Sequence, residues 1–148
     1  MDPLENRNRS IYAFNENLDE AILEPAADSY NYITPNFLQK GFNNFFDNIN
    51  YPVTIVNQVL QGNFEESLSD TLRFTINSSI GILGLFDPAS KMGLPEHDED
   101  FGQTLAVWGV KEGPYLMLPF FGPKTLRSLT GDLTDVLFNP LLNIDDTN

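Results

Sequence analysis

Thr34-Pro35-Asn36-Phe37-Leu38-Gln39-Lys40-Gly41-Phe42-Asn43-Asn44-Phe45-Phe46-Asp47-Asn48-Ile49 is the stretch on which the fold turns. Thr34 suits an N-cap and Pro35 the first helical position. Leu38, Phe42, Phe45 and Ile49 then recur at helical spacing, and Phe37 and Phe46 widen the apolar stripe. Gln39, Lys40, Asn43, Asn44, Asp47 and Asn48 make the opposite face, which is amide-rich rather than basic. A stripe of this kind by default faces a protein core. The functional alternative is a helix lying in one leaflet of a bilayer.

Upstream, Leu4, Ile11, Phe14, Leu18, Ala21 and Ile22 fit an amphipathic helix over 4–24. Pro25 should kink or end it, with a further helical piece over 26–33. Downstream, Pro52 is read as opening a short helix over 53–60, stopped by Gly62. Asn63 and Glu66 approximate a capping box, and Phe64, Leu68, Leu72, Ile76 and Ile80 follow at intervals of four. Gly81 and Gly84 end that helix and let the backbone turn closely. A helical turn at 86–88, an acidic loop over 93–99 and a helix over 101–110 come next. The apolar stretch 113–123 is broken by Pro and Gly, which a central strand does not tolerate, so it reads as an extended buried loop. A last helix is expected over 124–138. Period-2 alternation is nearly absent. The expected class is all-α, a compact multi-helix single domain over 1–148 with Pro/Gly-broken apolar loops.

Twelve phenylalanines stand against one tryptophan in 148 residues. Phenylalanine buries a large apolar area without a polar handle, so this content means a Phe-rich core or a Phe-rich surface for something greasy, with the core as default. A small helical domain has limited interior for 80–86 and 115–121 as well as the 37–49 stripe, which favours the surface alternative. Net charge is −13, from 8 basic and 21 acidic residues. This repels nucleic acid and argues against attachment through a polybasic patch. Apolar contact or a covalent anchor must therefore hold the chain to any membrane. The longest uncharged apolar runs, 75–86 and 113–123, are too short for a transmembrane helix, which needs about 20 residues.

No catalytic constellation stands out. With no cysteine, disulfides, thiolate metal sites and cysteine nucleophiles are absent. His97, within Glu96-His97-Asp98-Glu99-Asp100, is either a carboxylate-rich metal ligand or part of a solvated loop, and the loop is preferred. Ser78 and Ser79 lack a Gly-x-Ser-x-Gly elbow, and the chain's one histidine lies in another segment. No phosphate loop follows Gly81, Gly84, Gly109 or Gly113. The expectation is therefore no enzyme, no metal and no cofactor.

The order of segments resembles the MlaA (VacJ) family of outer-membrane phospholipid-handling lipoproteins. The stretches that carry the resemblance are Asp2-Pro3-Leu4-Glu5 with Asn8-Arg9 and Phe14-Asn15; Asn43-Asn44-Phe45-Phe46 with Asn48; Pro52-Val53-Thr54 with Val56-Asn57 and Leu60-Gln61-Gly62; Arg73-Phe74 with Ile76-Asn77; Gly81 with Gly84-Leu85-Phe86-Asp87; Glu99-Asp100-Phe101-Gly102-Gln103-Thr104-Leu105; Trp108-Gly109-Val110; and Gly113-Pro114-Tyr115 through Leu118-Pro119, Gly122-Pro123 and Leu126-Arg127. They run in order over residues 2–131.

The resemblance implies a ring-like helical protein in the inner leaflet of the Gram-negative outer membrane, on its periplasmic side. Such a protein draws phospholipid from the outer leaflet through an amphipathic channel, hands it to a soluble periplasmic carrier, and associates with trimeric porins. No catalysis and no cofactor are implied. Asn43, Asn44, Phe45, Phe46, Gly81, Gly84 and Phe86 are the expected lipid-binding or channel residues. Phe37, Phe42, Leu118, Phe120 and Phe121 are the expected membrane-facing ones. The rival readings are an envelope adaptor that docks on porins without transporting lipid and, ranked last, a hydrolase acting on lipid. Met1-Asp2-Pro3 reads as a start left by a removed leader, with the family's lipidated cysteine expected upstream and a further C-terminal portion expected beyond Asn148.

Overall fold

The structure, a computed structural model, describes residues 4–139. The Asp2-Pro3 part of the resemblance and both expected ends of the domain lie outside those residues. In chain order the elements are α1 (Glu5–Leu18), a π-helical turn (Asp19–Leu23), α2 (Glu24–Ile33), α3 (Asn36–Gln61), α4 (Phe64–Ser79), α5 (Pro88–Lys91), α6 (Phe101–Val107), β1 (Tyr115–Leu118), β2 (Gly122–Thr125) and α7 (Leu126–Phe138). The predominantly helical class agrees with the expectation. Helix α3 starts one residue later than expected, with Pro35 rather than Thr34 at the N-cap position and no side-chain cap, and four further local readings need correction.

Pro52 does not open a helix. It lies inside α3, so the helices expected at 35–50 and 53–60 are one element. An interior proline removes a backbone hydrogen bond and costs about 3 kcal/mol. Side-chain bonds from both halves of α3 to neighbouring helices offset that cost: Asn48 Nδ2 donates to Ser78 Oγ (2.9 Å) and Asn57 Nδ2 to Asp135 Oδ1 (2.8 Å). The helix ends at Gly62, whose φ of 84° closes a Schellman turn, with the Asn63 N–H donating to the Gln58 carbonyl at 2.8 Å. Pro25 likewise breaks less than expected. It sits in the first turn of α2, directly after the π-helical turn, so 5–33 runs on with a widened turn rather than a stop. Asn63 caps α4 by position, but its side chain makes no capping hydrogen bond.

The fourth correction is the stretch 113–123, which forms most of an antiparallel hairpin. Tyr115 pairs with Thr125 and Leu118 with Gly122. The barrier to a strand was Pro119 and Pro123. Pro119 falls in the turn, and Pro123 lies on a strand of a two-stranded sheet, where both strands are edges. The outer side of β1 is completed by α1. Asn8 and Asn15, two helical turns apart, each act as a surrogate peptide group. Asn8 Nδ2 donates to the Tyr115 carbonyl (3.2 Å), and its Oδ1 accepts from the Met117 N–H (2.9 Å). Asn15 Nδ2 donates to the Leu118 carbonyl (2.9 Å), and its Oδ1 accepts from the Phe120 N–H (2.9 Å). Replacing Asn8 by leucine strands the buried Met117 N–H and should cost about 1–3 kcal/mol. The check is amide exchange, in which Met117 should lose protection more than any amide of α4.

Candidate functional site

Hydrophobic side chains are distributed in the reverse of the water-soluble pattern. Among the described residues the buried hydrophobic ones are Tyr51, Val53, Ala89 and Met117, whereas ten polar or charged residues are buried. The five largest fully buried side chains are Arg73, Gln58, Asn57, Thr104 and Asp70, all polar. None of the twelve phenylalanines is buried. The default expectation that the Phe-rich stripes face a core is therefore overturned. On α4 the apolar row Phe64, Leu68, Leu72 faces outward, while Ser67, Asp70, Arg73 and Asn77, spaced by three and four, face α3 and α5. The exposure of the stripes agrees with the surface alternative that the limited interior of a small helical domain favoured.

Arg73 is the hub of this polar interior. Its Nε donates to the Tyr51 hydroxyl (2.6 Å), one terminal nitrogen donates to the Leu94 carbonyl (2.6 Å), and the other meets Asp87 Oδ2 (3.1 Å). The guanidinium carbon also lies 5.7 Å from the Tyr51 ring centre. Burial acts to lower the Arg73 pKa, but the Tyr51 hydrogen bond and nearby negative charge outweigh it and the group is held fully charged. Burial pushes the Tyr51 phenol up to about 12. Asp87 also accepts from Asn77 Nδ2 (2.9 Å) and from the Ser90 N–H (3.1 Å). Burial alone would raise its pKa, but the Ser90 and Asn77 hydrogen bonds and the Arg73 charge hold it below the usual carboxylate value. The network continues through Asp70, which accepts from Gln58 Nε2 (2.6 Å) and pairs with His97 Nδ1 (2.9 Å). His97 is thus engaged by α4, and no group of three metal-ligating side chains occurs among the described residues. Sequence reading missed this interior, although the Ser67-Asp70-Arg73-Asn77 spacing marked it.

The polar interior dictates how 80–87 is laid down. Leu83, Gly84 and Phe86 N–H groups donate to the carbonyls of Ser78 (3.0 Å), Asn77 (2.8 Å) and Gly81 (2.9 Å). Ile82 and Leu83 are forced into the left-handed region at φ of 55° and 56°, a strained state for a β-branched residue. Gly84, at φ of 93°, lies where an added Cβ would come within 2.4 Å of the Asn48 Cβ. The backbone is thereby drawn against α3 and the side chains are turned out, leaving Ile80, Ile82, Leu83, Leu85 and Phe86 exposed.

Between α3 and this segment is a cavity of about 600 Å³, walled by apolar side chains including Phe37, Phe42, Ile80 and Phe86, with Asn44, Lys40 and Lys91 on its polar side. Asn44 Nδ2 donates to the Leu85 carbonyl (3.3 Å) and ties the two walls together. Of the expected channel residues, Asn44 and Phe86 line the cavity, and Gly81 and Gly84 are buried in the turn beside it. Phe45 and Phe46 stack edge to face with ring centres 5.7 Å apart, Phe46 exposed and Phe45 half-buried. Asn43 is exposed and lines no described cavity. Of the expected membrane-facing residues, Phe37 and Phe42 are exposed at the cavity. Phe120 and Phe121 are exposed at the hairpin tip, and Leu118 is half-buried on β1. Phe120 packs edge to face on Phe14, ring centres 5.6 Å apart. Ser78 and Ser79 engage Asn48 and the Thr75 carbonyl, and neither bonds to His97. The arrangement can hold an amphiphile. No helix among the described residues is long and apolar enough to cross a membrane.

The family model described as MlaA lipoprotein matches residues 1–148. A protein of Shigella flexneri named intermembrane phospholipid transport system lipoprotein MlaA is 39% identical over 147 residues, covering 96% of this chain and 58% of its own length. An uncharacterised protein of Rickettsia felis is 44% identical over 142 residues, covering 95% of this chain and 57% of its own. The chain thus spans a little over half the length of these curated relatives. A solved structure described as the structural basis for maintenance of bacterial outer membrane lipid asymmetry superposes with a TM-score of 0.87 at 37% identity, covering 95% of this chain and 73% of that one.

Proposed function

Because the chain belongs to the MlaA lipoprotein family, we propose that it contacts phospholipid within an outer-membrane transport system that maintains lipid asymmetry. The observation that carries this reading is the reversed distribution of side chains: a polar interior centred on Arg73 and a phenylalanine-rich exterior. In water that exterior would be a large aggregation-prone surface. In a leaflet, or against a membrane partner, it is the solvated face. The protein sits within one leaflet, on the periplasmic side, held by its apolar exterior and a lipid anchor. It takes outer-leaflet phospholipid through an amphipathic route and releases it to a soluble periplasmic carrier, with trimeric porins as its docking partners. No bond is made or broken. Asn43, Asn44, Phe45, Phe46 and Phe86 lie along the route. Gly81 and Gly84 give the turn beside it its shape. Phe37, Phe42, Leu118, Phe120 and Phe121 meet acyl chains.

The test is the double substitution Phe45→Asp and Phe46→Asp in the full-length protein in cells. Each aspartate costs about 2.5–3.5 kcal/mol in an apolar leaflet, so lipid transfer is blocked and outer-leaflet phospholipid rises. Unchanged phospholipid at a normal protein level overturns the reading. Co-purification of porin with no bound phospholipid would instead support the adaptor role.

A further inference from the structure

Eight cationic side chains are distributed over a chain of net charge −13. Arg9, Arg73, Lys124 and Arg127 are engaged by carboxylates. Arg7, Lys40, Lys91 and Lys111 make no ion pair among the described residues, and two of these four, Lys40 and Lys91, line the same apolar cavity between α3 and 80–91. They come from elements far apart in sequence, Lys40 from α3 and Lys91 from the end of α5. The one carboxylate in that wall, Asp87, pairs with Arg73, which Glu96 also approaches (3.9 Å), and accepts from Ser90 and Asn77, so the lining counts two cations against one anion. The cavity therefore presents net positive charge beside apolar walls. At about 600 Å³ it falls in the usual range of ligand pockets, about 300–1,000 Å³. A second cavity of about 480 Å³, between the π-helical turn and the hairpin, has the opposite character, with Glu16, Asp19, Glu20 and Glu24 in its lining.

We propose that the cavity between α3 and 80–91 is a headgroup seat for anionic phospholipid, with Lys40 and Lys91 holding the phosphate and Phe37, Phe42 and Phe86 flanking an acyl chain. This rests on the phospholipid-handling reading above and adds to it a charge preference and the residues that set it. An ammonium is a point-charge partner for phosphate, and a lysine near a lipid surface contributes about 1 kcal/mol of attraction, or about fivefold in affinity. A zwitterionic lipid offers the same phosphate, but its own cation is repelled by the two lysines.

The experiment is native mass spectrometry of the full-length protein in detergent, titrated separately with phosphatidylglycerol, phosphatidylcholine of the same chains, and glycerol 3-phosphate. Phosphatidylglycerol should bind more tightly than phosphatidylcholine. Lys40→Gln and Lys91→Gln should each weaken phosphatidylglycerol about fivefold and leave phosphatidylcholine nearly unchanged. Lys111→Gln removes the same charge away from the cavity and should change neither. All three lysines are exposed, so the variants keep the fold, which far-ultraviolet circular dichroism verifies. Equal binding of the two lipids, or an equal loss in Lys111→Gln, overturns the headgroup seat while leaving lipid handling intact. Glycerol 3-phosphate binding as tightly as the lipid shows a phosphate site without a lipid and also overturns it. Failure of every lipid to bind the parent protein overturns both readings.

Discussion

Arg73→Met should destabilise the protein by about 3–5 kcal/mol, the cost of removing one member of a buried charged network. That is a large share of ordinary stability, about 5–15 kcal/mol. Methionine keeps the apolar stem but not the guanidinium, so the loss combines the charge, its hydrogen bonds and the buried space the group fills. Four groups lose the arginine as donor: the Tyr51 hydroxyl, the Leu94 carbonyl, the Ser90 hydroxyl and one Asp87 oxygen. The measurement is chemical unfolding followed by circular dichroism, in a detergent that protects the apolar exterior. Tyr51→Phe, which removes a single hydrogen bond, should cost only about 1–2 kcal/mol. A loss in Arg73→Met no larger than that would mean the hub contributes packing alone.

The pH dependence follows from the direction of the Asp87 shift. Its folded pKa is depressed, so its stabilisation is present above the ordinary carboxylate pKa and disappears as pH falls through the lower folded value. Asp87→Asn removes that contribution at every pH. The stability gap between parent and variant should stay flat from neutral to mildly acid pH and close only below the ordinary carboxylate range. Asp135 has the opposite sign. Burial raises its pKa despite hydrogen bonds from the Phe101 N–H and Asn57, so its ionised form costs stability above that pKa and the cost is relieved on acidification.

Helix existence and stripe phase were legible because apolar spacing directly encodes a face. The direction in which that face points does not follow from periodicity, which does not name the solvent; the limited interior of a small helical domain is what favoured the surface. Phe64, Leu68 and Leu72 give the same pattern against a core or a lipid tail. The polar row Ser67-Asp70-Arg73-Asn77 held the missing information, since an arginine and an aspartate on one helix face with small polar residues must each meet polar partners where that face is buried. The hairpin was hidden for a different reason. Its edge is completed by side-chain amides of Asn8 and Asn15 from more than 100 residues away, and no local rule anticipates a helix acting as a strand's partner. Asn44 and Phe86, singled out by segment order, line the cavity between α3 and 80–91, whereas the meeting of Lys40 and Lys91 in its lining needed the fold, since 51 positions separate them.

Gly131→Ala sets helix propensity against packing, and the size of each effect fixes the outcome. Gly131 lies within α7, where alanine is favoured over glycine by about 1 kcal/mol, so a reading of α7 alone predicts stabilisation. Tertiary structure reverses the sign. A Cβ at this position would lie 2.3 Å from the Gly102 nitrogen and 2.6 Å from its Cα. Both are backbone atoms of α6, so no side-chain rotation relieves the overlap. Helices α6 and α7 must separate. Separation strains the bond between the Phe101 N–H and Asp135 Oδ2 (2.8 Å) and the Asn57–Asp135 bond (2.8 Å), which together fasten α7 to α3 and α6. Overpacking costs about 1–3 kcal/mol and each weakened hydrogen bond about 1 kcal/mol more, so the packing loss exceeds the propensity gain. The expected net is a loss of about 2–4 kcal/mol, read by chemical unfolding. Gly109→Ala is the control for glycine removal where nothing lies within 4 Å of the added Cβ. Its φ of 85° confines its cost to local backbone strain, about 1 kcal/mol. If Gly131→Ala is as stable as the parent, α6 and α7 are not packed backbone to backbone, and the polar interior must be anchored elsewhere.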